Sequence, residues 1–413
     1  MILINKNALI EQFDNDIRLR MWWGVAAVFC FLILFAGFVL LKYYGRSGYA
    51  WRWLLPSIAV ILYILVFLKN GLRLNHKINE TQLLSVLGIG NWITLFRANL
   101  IAILAGLLFL PWSRFTDKSF WLTWLPGIIY LSAAILDYLD GFLARLTSHE
   151  TQLGRLFDTK IDALGLLVAT LVAIKIGQLP IFYLFVGIAY YLFQIGIWFR
   201  EKISKPVIDL NPRPGARLMA GFQMGFVGVI LFPILKPPVT TIAASIFMTP
   251  FLLGFLRDWL VVCGQLSTDH CQQAIWEIKL QYLFTAWFPL VLRSMIIIAG
   301  FTLLYKTVSA DSGLNETISK PMIFLSDLNI TIFFIILFLS LVLGILGRSS
   351  ALFLSFLVGH FIVNGTPVLE HYFIFISACC LLLTGSGLLS FWQPEDKIIM
   401  GNRYSNTYLH DCG

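Results

Sequence analysis

Charge is scarce in this sequence. Asp, Glu, Lys and Arg make up 13% of its 413 residues, against about 25% in an average soluble domain, while hydrophobic residues make up 58%. That balance excludes a soluble globular protein and predicts an all-α, polytopic membrane protein, because most of the apolar runs, all but two short ones at 53–68 and 349–364, are long enough to cross a bilayer as a helix. Cysteine is scarce as well. The six residues Cys30, Cys263, Cys271, Cys379, Cys380 and Cys412 show no metal-ligand spacing, and Cys379 and Cys380 sit within an apolar run, so they read as small apolar residues. Little at the N-terminus resembles a cleavable leader, since Glu11, Asp14, Asp16, Arg18 and Arg20 precede the first apolar run, and the first membrane helix is expected to be retained. Long polar stretches are missing too, which leaves no room for a soluble domain. The longest connections, 69–91 and 263–283, hold about twenty residues each and suit interfacial helices; Leu83, Leu84, Val86, Leu87 and Ile89 would give the first of these an apolar face.

What is abundant is apolar runs. Twelve are expected to span, near 22–41, 53–68, 92–112, 122–145, 155–178, 180–199, 216–236, 239–262, 284–305, 327–346, 349–364 and 371–391. A polar break, Ser267-Thr268-Asp269-His270-Cys271-Gln272-Gln273, follows Gly264 and marks a boundary. His270 beside Cys271 reads as a solvated loop pair. The expected organisation is an N-terminal helix pair at 1–82, a core at 83–264 and a C-terminal four-helix module at 265–413. Alternation of the spans puts roughly twenty of the thirty basic residues on the side of the connection after the fourth span, which predicts that this side is cytoplasmic. Lys42, Arg46 and Arg52 run against that bias.

The acids concentrate where the fourth and fifth spans meet. The stretch reads Asp137-x-x-Asp140-Gly141-x-x-Ala144-Arg145, then eight residues, then Gly154-x-x-x-Asp158-x-x-x-Asp162. At about 100° per residue, the first group occupies one helical arc of roughly 140° and the second an arc of roughly 80°. The connection, Leu146 to Leu153, is short enough to force an antiparallel pair, so the two carboxylate faces can be turned toward each other. An Asp in the middle of a membrane helix costs about 2.5 to 3.5 kcal/mol on insertion scales, and crowded like charges need cations. All-oxygen ligands favour hard ions, Mg²⁺ or Mn²⁺, and four Asp suffice for a pair of ions suited to displacement at phosphorus. Gly141, Ala144 and Gly154 would let a bulky ligand approach the backbone, and Arg145 offers a fork to a phosphate oxygen. A plainer alternative has the small residues mediating helix packing and the acids paired with Arg145, Arg155 and Lys160. Eight specified residues in one register, on the order of a one-in-a-billion coincidence by residue usage, favour the site.

This pattern resembles the signature of the CDP-alcohol phosphatidyltransferases, D-x-x-D-G-x-x-A-R-x(8)-G-x-x-x-D-x-x-x-D, and matches it at every specified position. The resemblance implies that Asp137, Asp140, Asp158 and Asp162 bind two divalent ions, Mg²⁺ or Mn²⁺. It further implies that Asp162 is also the general base, and that Asp140, Gly141, Ala144, Arg145 and Gly154 contact the cytidine diphosphate. The substrates would be a CDP-activated lipid and an alcohol acceptor within membrane lipid, with no nucleic-acid partner. Members are often homodimers, a state on which this sequence is silent. The family's core has six spans, the number found in 83–262.

Gly90-Asn91-Trp92-Ile93-Thr94-Leu95-Phe96-Arg97 opens the third span. Alone it reads as a helix cap followed by an Arg97 that snorkels. It also resembles the P-N-x-x-T-x-x-R run that begins the family's first core helix, with Gly90 in place of Pro, which implies ligand contacts for Asn91 and Thr94. Arg200, Lys202, Lys205, Arg213 and Arg217 form a basic loop after the sixth span. It is either a topology and lipid-headgroup feature or a binding site for an anionic acceptor. In the last four spans Arg293 is the only charge expected deep in a helix, where satisfying a neighbouring carbonyl is its commonest use. The runs Leu341 to Leu352 and Leu383 to Gly387 resemble parts of DoxX-type four-helix membrane modules. Two readings from other classes stand beside the transferase: a cation- or proton-coupled transporter, which uses intramembrane acids but leaves the small residues unexplained, and an inactive scaffold, against which the four intact Asp argue.

Overall fold

A computed structural model of the chain describes residues 6–44, 47–77, 80, 82–112, 120–146, 150–210, 214–266, 282–311 and 328–395. The described residues form twelve long helices: α1 Lys6–Tyr44, α2 Ser47–Gly71, α3 Ile89–Gly106, α4 Phe120–Leu146, α5 Gln152–Ile176, α6 Leu184–Lys202, α7 Pro214–Ile230, α8 Val239–Val262, α9 Phe288–Asp311, α10 Leu328–Leu343, α11 Gly347–Asn364 and α12 Leu369–Thr384. Each expected span coincides with one of them. Seven (α1, α2, α3, α4, α6, α8 and α9) are long and apolar enough to cross a membrane. The shorter α7, α10 and α12 are apolar, whereas α5 carries Arg155, Asp158, Lys160, Asp162 and Lys175. The protein is an all-α, multi-pass membrane protein.

The chain divides into two compact units, one of Met1–Tyr190 with Met224–Pro233, the other of Tyr191–Gln223 with Ile234–Gly413. In the first unit α3 is the hub and packs against α1, α2, α4 and α5. Its membrane-length segment is 61% buried, against 17% for α1 and 28% for α4. Small residues make that possible: Ala98, Ala102, Ala105 and Gly106 are all buried, and the indole of Trp53 lies where a Cβ on Gly106 would project. Close approach of backbones through small residues is how membrane helices pack without a hydrophobic driving force between them.

Two segments of this unit differ from expectation. Leu83, Leu84 and Val86 belong to no interfacial helix; Asn75 holds the segment as a loop, donating its side-chain amide to the carbonyls of Leu84 at 3.3 Å and Val86 at 3.0 Å. The same loop is stitched to the start of α5, where Gln152 N–H donates to His76 O at 3.0 Å and Lys77 bridges Thr151. The other difference is the start of α3. Its N-cap is Gly88, with no side-chain cap bond, so Asn91 lies inside the first turn and is not the cap.

Within the second unit, α12 packs against α8, α9 and α11, and Gly359 of α11 sits close to Val239 and Leu235. The turns after α10 and α12 meet through Leu346 N–H donating to Trp392 O at 3.0 Å and a bridge between Ile345 and Trp392. Arg293 is buried here and spans both turns. Its Nε donates to Leu341 O at 2.8 Å, one Nη to Val342 O at 2.5 Å and the other to Leu388 O at 3.0 Å. These carbonyls belong to or follow helix C-termini, whose last four C=O groups have no partner inside the helix. Arg293 is not the only buried charge of these spans, since Arg348 is buried as well and donates to Leu382 O at 2.5 Å. His270 and Cys271 lie outside the described residues.

Candidate metal and substrate site

The α5 helix is fixed at both ends. Thr151 Oγ1 accepts from Gly154 N–H at 3.0 Å, the ordinary N-cap arrangement, and Gly177, with φ of 86°, closes the C-terminus in the left-handed conformation that glycine allows. Between these stops Asp158 and Asp162, one turn apart, point to the same side. On α4, Asp137 points to meet them. One carboxylate oxygen from each of the three lies within 4.8 Å of the others. The three side chains are half-buried, so the cluster is accessible.

Among the described residues, the cation that meets these acids is Arg97 of α3, and not Arg155 or Lys160. One Nη of Arg97 donates to Asp137 Oδ1 at 2.5 Å and to Asp158 Oδ1 at 2.9 Å, and the other donates to Asp162 Oδ1. The side chain is 2% exposed, which overturns the snorkelling expectation: the guanidinium points into the helix bundle because a buried charge needs paired donors and acceptors. Arg155 is exposed, and Lys160 lies over the rings of Tyr190, at 5.0 Å, and Phe67. Arg97 is the site residue that sequence reasoning missed. Its signal was its place three residues after Thr94 and six after Asn91, on the face that α3 turns toward α4 and α5.

Asn91 and Thr94 are both buried on that face. Asn91 Oδ1 lies 2.8 Å from where a Cβ on Gly154 would stand, so Gly154 is required for this close approach between α3 and α5. Thr94 Oγ1 donates back to Gly90 O at 3.0 Å. Gly141 sits on α4 one turn beyond Asp137 and is half-buried. The side chains of Asp140, Ala144 and Arg145 lie outside the described residues, as does Arg213. The other basic-loop residues belong to the second unit. Arg200 donates to Pro206 O at 2.7 Å and to Cys263 Sγ at 3.3 Å, Lys202 lies 5.1 Å over the Trp198 ring, and Lys205 and Arg217 are exposed.

Three carboxylate oxygens at this spacing, with no nitrogen or sulfur donor among them, fit a hard divalent cation. Residues 87–256 match the family model for CDP-alcohol phosphatidyltransferase. Curated relatives include the CDP-diacylglycerol–glycerol-3-phosphate 3-phosphatidyltransferases of Yersinia pestis (strain Pestoides F) and Yersinia pseudotuberculosis serotype I (strain IP32953). Each is 35% identical over 83 residues, 20% of this chain and 42% of the relative. The chain thus spans less than half the length of these relatives. No solved structure matches it. Over residues 87–256, the resemblance of the Asp137–Asp162 signature to the CDP-alcohol phosphatidyltransferase family is borne out.

Proposed function

We propose that this protein transfers a phosphatidyl or other substituted phospho group from a CDP-alcohol, such as CDP-diacylglycerol, to the hydroxyl of a second alcohol, releasing CMP in phospholipid synthesis. The observation that carries the reading is the convergence of Asp137, Asp158 and Asp162 from two helices onto one point. With Asp140 they form the full acidic set of the family signature and would hold two divalent ions, Mg²⁺ or Mn²⁺. When bound, such ions supply charge neutralisation to the diphosphate and to the departing CMP. By the family resemblance, Asn91, Thr94, Asp140, Gly141, Ala144, Arg145 and Gly154 would contact the cytidine diphosphate, with Arg145 on a phosphate oxygen. Asp162 takes the proton of the acceptor hydroxyl; the acceptor oxygen forms its bond to the β-phosphorus as the bond from that phosphorus to the CMP oxygen breaks.

The acceptor is a phosphorylated or otherwise anionic alcohol. Two observations support this: the relatives are named for glycerol 3-phosphate, and Arg200, Lys202, Lys205, Arg213 and Arg217 form a basic run suited to an anionic acceptor. The site faces the cytoplasm, as the distribution of basic residues favours. The six-helix core of residues 83–264 carries the chemistry between an N-terminal pair and a C-terminal module. The test is CMP release from CDP-diacylglycerol by the purified full-length protein, with glycerol 3-phosphate and uncharged alcohols added singly. Metal-dependent release with the phosphorylated acceptor is expected. No release with any acceptor, in protein that binds CDP-diacylglycerol, would refute the transferase.

A further inference from the structure

A buried guanidinium is costly unless its donors are satisfied. Arg97 satisfies them with Asp137, Asp158 and Asp162, the same three carboxylates whose oxygens fit a divalent cation. Two positively charged groups therefore compete for one set of carboxylates. The guanidinium cannot leave by losing its proton, since arginine stays charged in proteins, so it has to move. A small cleft beside it is lined by Arg97, Tyr130, Ile161, Asp162, Gly165 and Met224. On that cleft Tyr130 is buried, and its hydroxyl has no hydrogen-bond partner among the described residues. It is thus an unpaired acceptor on the same cleft that Arg97 lines.

We propose that Arg97 is a built-in counter-ion: it neutralises the acidic cluster in the metal-free protein, gives way when a divalent cation binds, and is then received by the Tyr130 hydroxyl. The inference rests on the reading of Asp137, Asp158 and Asp162 as metal ligands. The guanidinium cancels one of three negative charges and orders all three carboxylates, which lets half-buried acids converge inside a membrane helix bundle. The proposal also makes a prediction opposite to that for a purely structural arginine. If Arg97 only shaped the cluster, its removal would loosen metal binding. As a competitor, its removal tightens binding, because three mutually repelling carboxylates then lose the cation that pairs them.

The experiment is Mn²⁺ binding to the full-length protein in detergent, followed by electron paramagnetic resonance of free Mn²⁺ without substrate. The wild type is expected to show a site that Asp137→Asn weakens. Arg97→Gln is expected to bind Mn²⁺ at least about tenfold more tightly, some 1.4 kcal/mol. Arg97→Lys, which keeps the charge but not the planar fork, should fall between the two. Tyr130→Phe is expected to bind several-fold more weakly, since the displaced guanidinium loses its acceptor. If Arg97→Gln is unstable without metal, it is purified in Mn²⁺ and its metal release into chelator is timed; slower release than wild type supports the proposal. Equal or weaker binding with equal or faster release in Arg97→Gln overturns it while leaving the metal site intact. Unchanged binding in Tyr130→Phe removes Tyr130 from it. A wild type with no site sensitive to Asp137→Asn overturns both this inference and the metal reading beneath it.

Discussion

Arg97 and Arg293 are both enclosed by protein, 2% and 5% exposed, and both sit in helices that read from sequence as membrane spans. Their guanidinium groups are satisfied in opposite ways. Arg97 donates to carboxylates on two neighbouring helices, side chains that can turn toward another cation. Arg293 donates to main-chain carbonyls at the ends of helical segments, which cannot turn without unwinding the backbone. The same residue type therefore serves an exchangeable site in one unit and a fixed joint in the other. What distinguishes them is the kind of acceptor, not burial or charge.

Four measurements would break or sharpen this contrast. The largest effect is expected at the exchangeable site. Asp162→Asn should lower CMP release by about 10² to 10⁴, the usual contribution of a general base, while CDP-diacylglycerol binding persists. Wild-type turnover would remove Asp162 from the role of base. Next comes the fixed joint: Arg293→Leu strands several buried carbonyls at about 1 to 3 kcal/mol each. Its melting temperature should fall by the same amount with and without Mn²⁺; rescue by Mn²⁺ would show that Arg293, too, is coupled to the site. Gly154→Ala adds a Cβ that would stand 2.8 Å from Asn91 Oδ1 and 3.2 Å from Thr151 Oγ1. The crowding should cost about 1 to 3 kcal/mol, read as a raised KM for the CDP-lipid in a chain that still folds, and an unchanged KM would separate Asn91 from substrate binding. The smallest effect is expected at Arg217→Ala. Losing one charge-assisted contact to a phosphate should raise the acceptor KM about tenfold and leave that for the CDP-lipid unchanged; if both constants move together, the basic loop acts on the membrane surface instead.

Much of this was legible in the chain because it is local. A run of about twenty apolar residues names its own helix, and an i, i+4 spacing puts Asp158 and Asp162 on one side whatever surrounds them. Their meeting with Asp137 also followed, since the connection between α4 and α5 is too short for any pairing but an antiparallel one. The partner of the acids was not legible. Arg97 precedes Asp137 by forty residues, and a basic residue near the start of an apolar run looks the same whether it turns outward to the headgroups or inward to a carboxylate. Arg348 was overlooked for a related reason, since it opens its helix and its enclosure depends on turns that close only in three dimensions. The apolar residues from Leu83 to Ile89 suggested a helix because composition does not reveal that Asn75, eight residues earlier, supplies hydrogen bonds to the carbonyls of Leu84 and Val86.

The loop held by Asn75 also bears on where this protein can be cut. A chain that begins at residue 83 keeps the whole family-matched segment yet discards Asn75, His76 and Lys77. Leu84 O and Val86 O then lose their side-chain donor, Gln152 N–H loses its acceptor, and the bridge to Thr151 disappears. Every one of those lost bonds falls either on the approach to α3 or on the first residues of α5, the two helices that carry Arg97, Asp158 and Asp162. The smallest fragment that keeps these bonds is therefore longer at its N-terminus than the family-matched segment, and dissection should begin upstream of Asn75, with α2 retained.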